Sequence, residues 1–256
     1  MKILAIGDVV GASGLAYLSA HLSHVRDKHR ADVVIVNGEN ATDIHGLSVP
    51  DAKAIWDCGA DLITLGNHAY GRRDLCMLLS DSERIIRPAN FPPLTPGAGY
   101  TLLTIDGYKL LCINVQGTAF MEPLASPFET VDRILAREQG AYDFAVMDIH
   151  AEATSEKIAL SRYFDGRVAV MFGTHTHVAT ADEQILPKGS GYITDIGMTG
   201  PVNGVLGTDA EAVIEKFRTH MPVRFRVADG PVQGHGALFD VDETKGCVRD
   251  VCRIVF

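Results

Sequence analysis

Five short fragments of this chain end apolar, β-branched runs with side chains of one chemical kind: Gly7-Asp8, Gly38-Glu39-Asn40, Gly66-Asn67-His68, His150 and Gly173-Thr-His-Thr-His177. Carboxylate and amide oxygens and imidazole nitrogens are the donors that hard and borderline divalent metals accept. None of these side chains is needed to build a core. Gathered in one place, Asp8, Glu39, Asn40, Asn67, His68, His150, His175 and His177 would supply enough groups for two metal ions and a proton donor.

The histidine pair carries most weight. His175 and His177 stand at i and i+2 after a buried run, and in extended backbone such a pair points to the same side. Asp8 and Glu39 each follow a glycine, which lets the backbone turn tightly beside clustered charge. Asn40 and Asn67 add neutral amide oxygens, so two cations could sit together with limited negative charge. His68 could be a further ligand, but beside Asn67 it would more usefully face a substrate.

Two divalent ions, the two carboxylates and a bridging hydroxide leave roughly one net positive charge, which suits a phosphodiester monoanion. Two metals roughly 3.5–4 Å apart can activate the hydroxide and stabilise both the attacking and the leaving oxygen. This favours phosphoryl-ester hydrolysis over carbonyl chemistry, although charge alone does not exclude an amidohydrolase.

The elements that would position these groups alternate. KILAIG, DVVIVNG and DLITLG read as strands, with helices near 14–30, 49–58 and 72–79 between and after them. Apolar runs without period-2 alternation indicate strands covered on both faces, and in layered α/β folds ligands bind beyond the strand C-termini. LLTIDGYKLLCINV reads as a hairpin turning at Asp106-Gly107, which makes the sheet mixed. Helices near 128–138 and 155–163 then alternate with YDFAVMDIH and VAVMFGTHTH. Thr154 or Ser155 is expected to cap the second of these helices.

The tail reads as SGYITDIG, a helix near 208–218, and the strands VRFRVA, HGALFDVD and VRDVCRIVF, the last two with one solvent-facing side. The Pro- and Gly-rich segment 88–99 is expected to form a rim loop. Neither repeats nor linkers divide the chain, so 1–256 reads as a single domain.

Composition narrows the function further. A net charge of −9 opposes binding to long nucleic acid, whereas a small anion remains acceptable where a metal supplies positive charge. No run approaches the roughly 18 apolar residues of a membrane span, and ILAI is too short for a signal peptide. Five scattered cysteines match no zinc spacing and read as free thiols in a reducing cytoplasm. His45 and Asp43 read as a solvated loop, and His21, His24 and His29 as helix-surface residues. GDVVGASG fits neither the GxGxxG nor the GxxxxGK(S/T) pattern, and HAEATSEK lacks the second histidine of HExxH.

The ordered set GD…GEN…GNH…H…GTHTH over residues 1–180 resembles the calcineurin-like metallophosphoesterases. Longer matches, among them IGDVVG, VNGENA, RPANFP, HAEATSEK, ILPKG and ITDIGMTGP, are similar to the bacterial YmdB-type branch, whose members hydrolyse 2′,3′-cyclic nucleotides. The resemblance implies a layered α-β-β-α sandwich with mixed sheets and a metal site at strand C-terminal ends. It implies that Glu39 bridges two ions, that Asp8, Asn40 and His177 complete one site, and that Asn67, His150 and His175 complete the other.

Two departures from the wider superfamily stand out. Asp8 is followed by Val9-Val10 instead of the usual Asp-x-His, with Asn40 in place of the missing ligand, and Ala69 follows His68 where an acidic residue is usual. The expected reaction is in-line attack on a cyclic nucleotide, with His68 as general acid on the departing ribose oxygen. Iron or manganese is the expected pair of divalent ions by resemblance, while the donor set also admits zinc, cobalt or nickel. A homo-oligomer is expected. A phosphomonoesterase, or a metal-stabilised regulatory binding protein with incidental turnover, is the rival reading.

Overall fold

The computed structural model describes residues 1–43 and 45–256. The first part of the chain forms β1 (Lys2–Ile6), β2 (Asp8–Val9), α1 (Gly11–His29), β3 (Val33–Asn37), α2 (Val49–Asp57), β4 (Leu62–Thr64), α3 (Leu75–Asp81) and β5 (Ile85–Ile86). Next come β6 (Tyr100–Ile105), β7 (Tyr108–Gln116), α4 (Pro127–Arg137), β8 (Phe144–His150), α5 (Thr154–Phe164) and β9 (Val170–Thr174). The last part forms β10 (Gln184–Ile185), β11 (Gly191–Ile193), β12 (Met198–Pro201), α6 (Ala210–Thr219), β13 (Val232–Gln233), β14 (His235–Asp242) and β15 (Cys247–Val255).

Two six-stranded mixed sheets result, in the orders β15-β14-β1-β3-β4-β5 and β10-β11-β9-β8-β7-β6. Alternation along each strand decides what every face meets. In the first sheet Ile3, Ala5, Val33 and Ile35 pack on one side with Cys112, Phe144, Val146 and Phe172 of the second sheet. Their neighbours Leu4, Ile6, Val34 and Val36 pack on the other side with Leu18, Leu22 and Val25 of α1 and Ile55 of α2. On the outer face of the second sheet, Leu111, Ile113, Met147 and Met171 meet Val131 and Ile134 of α4 and Leu160 and Phe164 of α5. The layers are therefore α-β-β-α. Each fully buried Leu, Ile or Phe contributes about 1.5–3 kcal/mol of transfer free energy, so three apolar layers can support a polar centre at one end.

The hairpin turns where the sequence indicates, with Asp106 at φ 50° and Gly107 at φ 86°, the left-handed pair of a type I′ turn. All five cysteines are free. The helices fall within a few residues of their expected bounds, and segment 87–99 forms a loop along the edge of the second sheet.

Three expectations fail. VRFRVA is not a strand; among the described residues it makes just an isolated bridge from Val227 to Thr208, while β12 pairs with β2 and β13 in a small third sheet. The expected solvent face of β14 is absent, since that strand is flanked by β1 and β15 and has core on both sides. Helix α5 has Ala153 at its N-cap with no side-chain cap; the Ala153 carbonyl accepts from the amides of Glu156 and Lys157. Thr154 and Ser155 thus lie inside the first turn.

Candidate metal centre

The candidate residues emerge beyond the C-terminal ends of β1, β3, β4, β8 and β9, where parallel strands of the two sheets end side by side. Glycines make the approach possible. A Cβ on Gly66 would collide with the His150 imidazole, and one on Gly38 would press on Ile55 and Ile63. Asp8 belongs to β2, whose pairing with Met198 of β12 fixes it just past β1.

Asp8, Asn40 and His177 form one half of the cluster. His177 Nε2 lies 3.5 Å from Asp8 Oδ1 and 3.4 Å from Asn40 Nδ2. On its other edge, His177 Nδ1 donates to the Leu206 carbonyl at 3.0 Å, which fixes the ring.

The other half gathers around His150. Its Nε2 lies 2.9 Å from Asn67 Oδ1, 3.1 Å from Glu39 Oε1 and 3.1 Å from His175 Nδ1. The ligand-type atoms of Glu39, His150 and His175 all lie within 4.8 Å of one another. Glu39 Oε1 also accepts from Asn40 Nδ2 at 3.2 Å, so this carboxylate touches both halves.

The histidine pair reaches the cluster differently from the expectation. Strand β9 ends at Thr174, and His175 and His177 have φ of 92° and 62°, so the backbone there is left-handed, not extended. The two rings consequently go to different halves. Such conformations cost about 1–3 kcal/mol each for non-glycine residues and persist where surroundings hold them. Here the His175 amide donates to Asp8 Oδ2 at 3.2 Å, and Thr176 between the rings binds Asp195 through both its amide and its hydroxyl.

His68 stands at the mouth. Its amide donates to Glu39 Oε2 at 3.1 Å and its Nε2 lies 3.1 Å from Asn67 Nδ2. His45 is exposed in a loop, as expected, and also stacks on His68 with ring centroids 4.1 Å apart. Gly46, at φ 86°, packs against Gly71 and brings that loop within reach, a contact that no local pattern announces.

A buried polar layer supports the cluster, and sequence reasoning missed it. Asp148 Oδ1 accepts from Thr174 Oγ1 at 2.7 Å and Oδ2 accepts from Thr64 Oγ1 at 2.6 Å, while Thr174 Oγ1 lies 2.9 Å from His150 Nδ1. The signal was present, since Asp148 stands two residues before His150 on the same face of β8. Lys157 of α5 donates to Asp195 at 2.7 Å, both fully buried, and Glu152 lies 3.1 Å from His175 Nε2.

The donor set fits divalent cations on two observations. Asp8 Oδ1 and Asn40 Oδ1 are buried without a hydrogen-bond partner, although buried oxygens are nearly always paired. Around His150 Nε2 stand three lone-pair-bearing atoms, and a single N–H satisfies one of them whereas a cation satisfies all.

The electrostatics show how the carboxylates and imidazoles share charge when no cation is bound, so a metal would displace a proton from His177. Burial by itself would raise the Asp8 carboxyl, but His177 and His150 outweigh it and hold Asp8 well below the usual range. Burial likewise opposes ionisation of Glu39, which His150 reverses. Burial would lower His177, but Asp8 pushes it up to about 9, while burial and His150 press His175 down to about 4. Burial pushes the Asp148 carboxyl up to about 6.

Comparison with known proteins places this architecture. The profile of the YmdB-like protein family matches residues 4–254. A Bacillus subtilis protein named 2′,3′-cyclic-nucleotide 2′-phosphodiesterase is 44% identical over 97% of this chain and 95% of its own length. The crystal structure of a Mycoplasma pneumoniae protein described as a novel phosphatase superposes with a TM-score of 0.95 at 34% identity, covering 100% of this chain and 93% of the other. The crystal structure of a Thermus thermophilus protein described as hypothetical superposes with a TM-score of 0.94 at 41% identity, covering 100% and 99%. With strand-end fragments, layered fold and full-length similarity in agreement, the chain belongs to the YmdB-like family of calcineurin-like metallophosphoesterases.

Proposed function

We propose that the protein is a two-metal phosphodiesterase that opens the ring of 2′,3′-cyclic nucleotides and releases nucleoside monophosphates. The convergence of seven ligand-type side chains with one further histidine at the mouth carries this reading. The name of the 44% identical Bacillus subtilis relative supplies the substrate class and points to the 2′ ester as the bond broken.

Asp8, Asn40 and His177 would hold one divalent ion and Asn67, His150 and His175 the other, with Glu39 shared because its Oε1 touches both groups. Iron or manganese is the pair we assign. Such ions supply positive charge for the phosphate and an acidified water as nucleophile. The remaining work falls to the chain. Thr174 and Asp148 orient the His150 ring from behind, and Leu206 orients His177. His68 delivers a proton from its imidazolium form to the departing ribose oxygen. Stacking by His45 and the amide contact to Glu39 hold that imidazole in place.

Metal analysis combined with a substrate screen on one preparation tests the reading. Two equivalents of metal and faster opening of cyclic nucleotides than of p-nitrophenyl phosphate are expected. Preference for the monoester would make the protein a phosphomonoesterase. No opening of any cyclic nucleotide with Mn²⁺ or Fe²⁺ would leave the regulatory binding protein.

A further inference from the structure

The geometry points to a second ligand site, distinct from the metal centre: the cavity between loop 87–99 and helix α4, which we infer binds a phosphomonoester carried on a planar aromatic body, the chemistry of a nucleoside monophosphate. The cavity measures about 580 Å³ and its walls include Arg87, Phe91, Tyr100, Thr130, Arg133 and Arg137. That volume falls in the range of small-molecule sites and exceeds the need of a bare inorganic anion.

Charge is the first argument. In a chain of net charge −9, three arginines line this cavity and no Asp or Glu does among the described residues. Arg87 is only 7% exposed and lies beside the Tyr70 hydroxyl, and it forms no ion pair among the described residues. Its Nη1 donates to the Pro88 carbonyl at 2.8 Å and its Nη2 to the Thr95 carbonyl at 3.3 Å, while Nε has no partner. A buried cation without a counter-charge is costly, and an anion is what would relieve it. Arg133 donates to Thr130 Oγ1 at 3.3 Å and pairs with no carboxylate among the described residues, and Arg137 Nε lies 3.5 Å from the half-buried Glu138. Guanidinium forks match the geometry of phosphate oxygens, and a dianion matches more than one of them.

Shape is the second argument. Phe91 is held edge-on by Tyr70 at 5.7 Å, and the Tyr100 hydroxyl donates to Glu138 at 2.8 Å, so both rings are fixed at the wall. Pro92, Leu124 and Ile134 complete an apolar side. An anionic head among arginines beside fixed aromatic and apolar surface describes a ligand with a phosphate at one end and a flat ring at the other.

The test is calorimetric titration of the metal-loaded, full-length protein with 5′-AMP, adenosine and inorganic phosphate. Two binding events for 5′-AMP are expected in the wild type, one at the metal centre and one here. In Arg133→Glu and in Arg137→Glu, both at exposed positions, the second event should weaken at least tenfold while the first event and cyclic-nucleotide turnover stay unchanged. Arg87→Lys, which keeps charge but loses the fork, should weaken it less. Retention of both events in the Glu variants would overturn the inference, as would a single wild-type event abolished by metal chelation. Adenosine binding as tightly as 5′-AMP would remove the phosphate requirement, and phosphate alone matching 5′-AMP would remove the aromatic one; either result defeats the assignment.

Discussion

His45 lies flat against His68, ring centroids 4.1 Å apart and planes inclined by 30°. The wider superfamily usually places an acidic residue directly after this histidine, whereas here Ala69 follows. On the proposed mechanism, the stacked ring from the loop between β3 and α2 would help hold the imidazole. Aromatic contacts of this kind contribute about 0.5–1.5 kcal/mol beyond burial. Replacing His45 by Ala should therefore lower kcat about two- to tenfold with KM and metal content little changed. His45→Phe, which keeps the stack, should recover most of the loss; steady-state kinetics on both variants decides.

Removing His68, the proposed proton donor, should cost more. General acid assistance contributes typically about 10²–10⁴-fold, so His68→Ala is expected to reduce turnover by at least tenfold at unchanged metal occupancy. Mass-spectrometric metal content measured beside kcat separates this outcome from simple loss of metal. An unchanged rate would withdraw the acid role from His68.

Gly66 gives a test of geometry. A methyl group there collides with the His150 ring, which is fully buried and hemmed in by Thr174, Asn67 and Glu39. Gly66→Ala should strip metal from the centre and abolish turnover. Its thermal unfolding should stay cooperative, because the three apolar layers lie below the strand ends. A variant that keeps full metal content would show that His150 can move aside.

The ion pair between Lys157 and Asp195 bears on stability. Both side chains are buried, at 1% and 0% exposure, so removing one charge leaves the other uncompensated. Lys157→Met should lower unfolding free energy by about 3–5 kcal/mol, read from urea denaturation. Asp195 also holds Thr176 in the left-handed loop between His175 and His177, so looser metal binding should accompany the loss.

Much of the site could be read from residue types alone. Apolar runs ending in Gly-Asp, Gly-Glu-Asn, Gly-Asn-His and Gly-Thr-His-Thr-His report strands covered on both faces with metal-type donors at their ends, because burial and donor chemistry are local properties. The hairpin at Asp106-Gly107 was legible for the same reason, since only a few residues accept both left-handed positions.

What lay beyond the sequence depends on contacts between distant segments. The partner of His68 comes from residue 45, the carboxylate behind His150 acts through Thr174 of another strand, and the brace on Thr176 comes from Asp195. Even the direction of the two histidine rings was decided by tertiary structure. Residue spacing assigns His175 and His177 to one side only if the backbone is extended, and the hydrogen bonds its amides donate to Asp8 and Asp195 hold it left-handed instead. Local physics thus determined which chemistry the strand ends carry. The packing of the two sheets decided which nitrogen meets which oxygen, because those distances are set by elements far apart in the chain.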